Sequence, residues 1–434
     1  MNNSTVNGLK YKILRATGGV LLCLMILFTG IDAAVCRAES ENPGANLTAL
    51  CDSVFSYLTE DDEPDMEDFW TVTAAVRCGL DRDRTYFDEY YRNTIDYLDE
   101  NEWHISDSRY TEYSKLIIGM TALGKDAADI EGHDLLSYLS DFDKVKGQGI
   151  NGVIYALIAI NCGEGYEIPE SAEASVQNSE ELMLDYILKN EAEDGGWRIF
   201  GGYADVDVTA MTIQALSFYY EDNEEVRAAV DRAVEWLSEH QQESGGFIAL
   251  LGSSVMETCE STAQVVMALS SIGIDAGTDE RFISEAGKSV EDRLLEYYTA
   301  VDENRGGFVH VISEDGAPEI NGLSSVEGMC AVTSLVRLRK GETSFYDMKA
   351  GDESAEQETV TQGGSADITE SATDASIGTV TDDEIRDESE AEADTDNTGR
   401  HLVSAIIPAI LAYASIAMIP VVLLLIFGKK GRKK

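Results

Sequence analysis

The sequence predicts an all-α ring, with six inner helices surrounded by six outer ones. Three observations carry this reading. Six blocks are apolar on nearly every side and rich in small residues, six amphipathic blocks alternate with them, and three Gly-Gly-aromatic turns follow amphipathic blocks. Only six prolines occur in 434 residues, and since an interior proline costs a helix about 3 kcal/mol, long helices are free to form.

The apolar blocks cover residues 68–79, 113–124, 150–161, 209–220, 262–273 and 325–336, typified by INGVIYALIAIN. A helix apolar all round is buried against several neighbours, so these form the inner set. Residues 47–58, 86–98, 134–142, 181–188, 226–237 and 289–298 instead space their apolar residues three and four apart between charged ones, as in AAVDRAVEWLSEH. Each such helix buries one face and becomes an outer element. Inner helices enclosed by outer ones bury both kinds, and closing the ring removes the exposed ends of an open array.

The turns are Gly195-Gly196-Trp197, Gly245-Gly246-Phe247 and Gly306-Gly307-Phe308. Two glycines tolerant of positive φ precede an aromatic able to fill the gap between helices. Gln241 lies four residues before Gly245, with Glu191 and Asp302 in the equivalent slots of the other turns. In these residues the chain resembles the α/α-toroid family of squalene and terpene cyclases and protein prenyltransferases, whose repeats carry Gln-x-x-x-Gly-x-Trp. The resemblance implies an (α/α)6 toroid over residues 39–345. In its helix text the domain is also similar, more distantly, to cobalamin-carrier toroids, which implies a fold suited to holding a small molecule.

Asp205-Val206-Asp207-Val208-Thr209-Ala210 resembles the Asp-x-Asp-Asp-Thr-Ala of terpene cyclases. That resemblance implies Asp207 as a general acid with Asp205 beside it, although Val208 replaces the adjoining aspartate. A plainer reading of the same residues is that one of the two aspartates caps the helix that follows. Glu257, Glu260 and Glu327 fall near the starts of inner helices, at the rim where a ring opens, and Trp197 is a further candidate for the cavity lining. Paired carboxylates at such a rim suit glycoside hydrolysis or polysaccharide elimination. The zinc of prenyltransferases needs Asp, Cys and His ligands, and Cys259, Cys330 and His310 do not reproduce that pattern. No metal and no cofactor is expected.

The chain carries 80 acidic residues against 32 basic ones, a net charge of −48. Phosphate binding needs clustered Lys and Arg, so nucleic acid is excluded as a partner. Residues 1–38 order positive, apolar and small segments as an export signal does. Residues 346–400 are acidic and poor in large apolar side chains, the composition of a disordered stalk. Residues 402–427 are long and apolar enough to span ~30 Å of hydrocarbon, and the basic tail 428–434 would stay in the cytoplasm. The expectation is a single-pass cell-membrane protein of a Gram-positive surface, with its toroid outside. It presents a cavity or rim to a small-molecule, glycan or surface ligand and binds rather than catalyses, with a cyclase using Asp207 and a carbohydrate-active toroid as the two enzymatic alternatives.

Overall fold

The computed structural model describes residues 43–60, 63–80, 85–199, 203–251, 254–313 and 318–349. The export signal, most of the acidic stalk, the apolar segment 402–427 and the basic tail lie outside the described residues. Among the described residues, no helix is long and apolar enough to cross a membrane.

The inner elements are α2 (Phe69–Arg77), α4 (Thr111–Ala122), α6 (Ile150–Asn161), α8 (Val206–Leu216), α10 (Cys259–Ser271) and α12 (Gly322–Lys340). Each packs on the next in this order, and α12 returns to pack on α2, which closes the ring. The outer elements are α1 (Pro43–Leu58), α3 (Thr85–Glu100), the short α5 (Phe142–Val145), α7 (Glu180–Lys189), α9 (Glu224–His240) and α11 (Val290–Glu296). Helix α1 covers the closing seam, packing on both α12 and α2. The predicted all-α ring is thus present, with two departures. The third outer unit is no continuous helix but a 3-10 segment, Leu135–Leu139, followed by the single turn α5. Asp134 and Asp141 each accept a backbone N–H of the segment they precede, so a second cap interrupts what would otherwise be one amphipathic helix. Two small antiparallel hairpins also occur, β1 (Phe247–Leu251) with β2 (Ser254–Thr258), and β3 (Tyr298–Ala300) with β4 (Gly306–Phe308). They precede α10 and α12.

The three Gly-Gly-aromatic turns join outer to inner helices by one repeated device. The backbone N–H of Trp197 donates to Thr209 Oγ1 (2.9 Å), that of Phe247 to Thr262 Oγ1 (3.3 Å) and that of Phe308 to Ser325 Oγ (2.9 Å). The hydroxyl belongs in each case to the first turn of an inner helix, and the aromatic ring is fully buried beside it. The second glycine leaves room for this approach: a Cβ on Gly196 would come 2.6 Å from Thr209 Oγ1, and one on Gly307 would come 2.6 Å from Ser325 Oγ. Gly195 and Gly245, the first glycines of the first two turns, have φ of 96° and 94°, a region that costs side-chain-bearing residues about 1–2 kcal/mol. Gln241 ties this turn to the outer layer, its Nε2 donating to Gly245 O (3.0 Å) and to Phe282 O (2.9 Å). Glu191, in the same slot one unit earlier, instead forms a two-pronged ion pair with Arg232 of α9 at 2.7 Å.

Trp197 fills the gap between α7 and α8, donating its indole N–H to Ile187 O at 2.9 Å. The structure therefore places it in the packing, not in the cavity lining. Trp197→Ala should cost about 3–5 kcal/mol of unfolding free energy, read as a lowered denaturation midpoint. Gln241→Ala, which leaves two carbonyls without this donor but opens no large void, should cost about 1–3 kcal/mol.

Candidate functional site

At the mouth where the inner helices begin, three neighbouring helices aim carboxyl groups inward. Asp205 and Thr258 are the N-caps of α8 and α10, and two residues beyond each cap stand Asp207 and Glu260. Asp205 takes the capping role itself, accepting Val208 N–H at 3.1 Å. Asp207 is left free of that duty. Glu327 sits deeper, in the second turn of α12 beyond its cap Asn321. Glu260 and Glu327 each keep only 6% of their surface accessible.

The partners of these carboxyls separate their roles. Glu260 accepts a hydrogen bond from Ser324 Oγ (2.5 Å) through Oε1 and contacts His310 Nδ1 (2.8 Å) through Oε2. Glu327 accepts from Gln264 Nε2 (3.2 Å), whose own Oε1 accepts from Gln214 Nε2 (2.9 Å). Asp207 has an Oδ1 that is buried and without a hydrogen-bond partner. Burial, then the charges of Asp205 and Glu260, push its pKa up to about 8, against the opposing effect of the Ser261 hydroxyl. Burial, followed by Glu260 and Asp207, also raises Glu327 well above the usual carboxylate range. The hydrogen bond to Glu260 raises the His310 imidazole above its ordinary value, partly offset by burial. A carboxylic acid that keeps its proton at neutral pH beside a Glu–His pair is the raw material of general acid–base chemistry.

The far wall of the ring, formed by α2, α4 and α6, is different. Trp70 and Tyr155 lie with ring centroids 6.4 Å apart. The Lys115 ammonium stands 5.8 Å from the Tyr155 centroid and 3.3 Å from Glu112. Asn151, only 7% exposed, has a buried Oδ1 without a partner. This side of the ring thus groups aromatic rings with Lys115, Glu112 and Asn151, opposite the carboxyls of α8, α10 and α12.

Of the residues singled out from sequence, Asp207, Glu260 and Glu327 converge here, and Asp205 caps. Glu257 does not join them: on β2 it accepts from Ser244 Oγ (2.6 Å) and pairs with Arg293 of α11, which ties the hairpin to the outer layer. The glycines and aromatics of the three turns stay structural. His310, Gln264 and Gln214 were missed as site residues. A signal for part of this existed, because Glu112, Asn151, Asp207 and Glu260 all stand two residues beyond an N-cap. Among the described residues no group of three or more His, Cys, Asp or Glu is arranged to hold a metal ion.

No family model matches the chain, and no curated protein matches it. Among solved structures it is similar to ent-copalyl diphosphate synthase from Streptomyces platensis, at 17% identity and a TM-score of 0.36, over 64% of this chain and 50% of that one. It is also similar to a polysaccharide lyase, at 13% identity and a TM-score of 0.46, over 69% of this chain and 98% of that one. The chain spans half the length of the synthase. Neither likeness bears on the chemistry, which rests on the geometry above.

The raised pKa of Asp207 has a thermodynamic consequence of definite sign. Between an ordinary carboxyl pKa near ~4 and the folded-state value of about 8, the native state holds a proton that the unfolded chain has released. Asp207 therefore makes stability fall as pH rises through that window. Asp207→Asn should be more stable than the wild type at pH 8 and close to it at pH 4, measured by urea unfolding at both values.

Proposed function

We propose that this protein is a glycoside-cleaving enzyme working at the mouth of the ring, with Asp207 as general acid. The observation that carries the reading is the Asp207 carboxyl, held in its proton-bearing form at neutral pH with a buried Oδ1 that has no hydrogen-bond partner. Its proton passes to the leaving glycosidic oxygen as the C–O bond breaks. Glu260, positioned by Ser324 and His310, takes a proton from the water that attacks the anomeric carbon, and one water is consumed per bond cleaved. The surroundings suit a sugar. Gln214, Gln264 and Asn151 offer amide donors and acceptors to hydroxyl groups, and the partly exposed Trp70 indole offers a surface on which an apolar sugar face stacks.

Three physical arguments select among the alternatives. An acid whose proton is retained by desolvation is a weak acid, well matched to a leaving oxygen and poorly matched to the alkene that a terpene cyclase must protonate. Burial that keeps Asp207 and Glu327 neutral disfavours bringing a charged uronate beside them, so a neutral glycan and hydrolysis are favoured. A ligand-binding role without catalysis gives Asp207 no task that offsets the cost of its burial. The expected export and anchoring would place the activity on glycans outside the cell.

The test is release of new reducing ends from a panel of neutral polysaccharides. Activity should appear on at least one, and kcat/KM should fall above about pH 8 as Asp207 loses its proton. Asp207→Asn and Glu260→Gln should each lower kcat by roughly 10²-fold or more, with folding checked by circular dichroism. No cleavage of any neutral glycan by the wild type would defeat the reading.

A further inference from the structure

The opposite mouth of the ring is closed by the chain itself. After α12 the backbone turns at Gly341, and residues 342–349 run across the C-terminal ends of the inner helices. Arg77, the last residue of α2, donates through Nη2 to Thr343 Oγ1 (2.7 Å), Ser344 O (2.9 Å) and Asp347 O (2.8 Å). Arg337 of α12 donates to Thr343 O (2.7 Å) and to Arg77 O (2.9 Å). Met348 N–H reaches Cys162 O (2.9 Å) at the end of α6, and the Lys349 ammonium lies 5.4 Å from the Phe218 ring just beyond α8. In ring order α2 faces α8 and α6 faces α12, so the tail ties opposite sides together along both diameters.

This strap also reaches inward. Phe345 and Tyr346 keep 3% and 5% of their surface, and the Trp70 indole N–H donates to Tyr346 Oη at 3.0 Å. Glu327 is among the charges felt by the Tyr346 phenol. Two buried arginines whose guanidinium groups are occupied by tail carbonyls mark the strap as a fixed part of the fold. The acids themselves lie inside the ring, Glu327 about 9 Å along α12 from its cap at 1.5 Å per residue. A scissile bond must therefore enter the ring to meet them.

We infer that the site is a blind pocket and that the enzyme is exo-acting: it admits the end of a glycan chain, and Tyr346, held by the Trp70 indole, is the floor that sets how many sugar units enter. This assignment rests on the glycan-cleaving reading of the mouth. A polymer has no way through a ring closed at one end. Only a chain terminus reaches the acids.

Two measurements on the full-length protein test it. Amide hydrogen exchange at Met348 should be as slow as in the inner helices, since its N–H is bonded to the Cys162 carbonyl at the end of α6; exchange within seconds would overturn the floor, whatever the activity. On the polysaccharide cleaved, products should be short and of constant length from the first minutes, with solution viscosity nearly unchanged as reducing ends accumulate. Tyr346→Ala should lengthen the product by one unit, while Tyr346→Phe, which keeps the ring but not the hydroxyl, should leave it unchanged. A ladder of long fragments with an early fall in viscosity would refute the exo assignment and leave glycan cleavage standing. Failure to cut any glycan would remove both, with the exchange experiment still deciding the floor.

Discussion

Helices that are apolar on nearly every side have no stable place except against one another, and the packing of α12 on α2 is the contact that lets all six have it. Without that closure two inner helices would each present an apolar face to water. Fully burying one large apolar side chain is worth about 1.5–3 kcal/mol, and the seam holds Cys51, Val54 and Phe55 of α1 as well as Val332 and Leu335 of α12, all at or below 2% exposure. Helix α1 covers the seam from outside, so the first and last units of the chain are held together across the whole sequence. A Cys51 thiol 3.4 Å from the Thr333 hydroxyl, and Thr333 in turn bonded to Ala74 O, link the three helices directly.

Closure also creates the chemistry. Residues 342–349 cross one end of the ring, apolar helices wall it, and desolvation by burial is the first cause of the raised values of both Asp207 and Glu327. The same carboxyls on an open solenoid would titrate as ordinary surface acids. The turn device matters here too. By fixing the first turn of α8, α10 and α12 to Trp197, Phe247 and Phe308, it sets the height at which Asp207, Glu260 and Glu327 enter the ring.

The sequence showed the fold more clearly than the site, and the reasons are local. The block read at 150–161 is the helix Ile150–Asn161, because Gly149 ends one segment and an uninterrupted apolar run begins the next. The block read from 209 begins instead at Val206, since capping by Asp205 adds a turn that apolar periodicity does not register. The hairpins were not foreseen because Phe247–Leu251 is a short apolar run that periodicity does not separate from helix. At the site, acids near inner-helix starts were readable as single residues. Their partners were not, because Glu260 meets His310 fifty residues away and Glu327 meets Gln264 from another helix. Two aspartates two residues apart gave no sign of which was the cap, and only the fold separates Asp205 on the backbone from Asp207 in the cavity.

The central claim is that closing the ring keeps Asp207 protonated at neutral pH. Its most direct test is a carbon-13 NMR titration of the side-chain carboxyls in the folded protein, with Asp207→Asn used to assign the resonance. The expected midpoint for Asp207 is about 8. A midpoint in the ordinary carboxylate range near ~4 would contradict it, and with it the role of Asp207 as the proton donor.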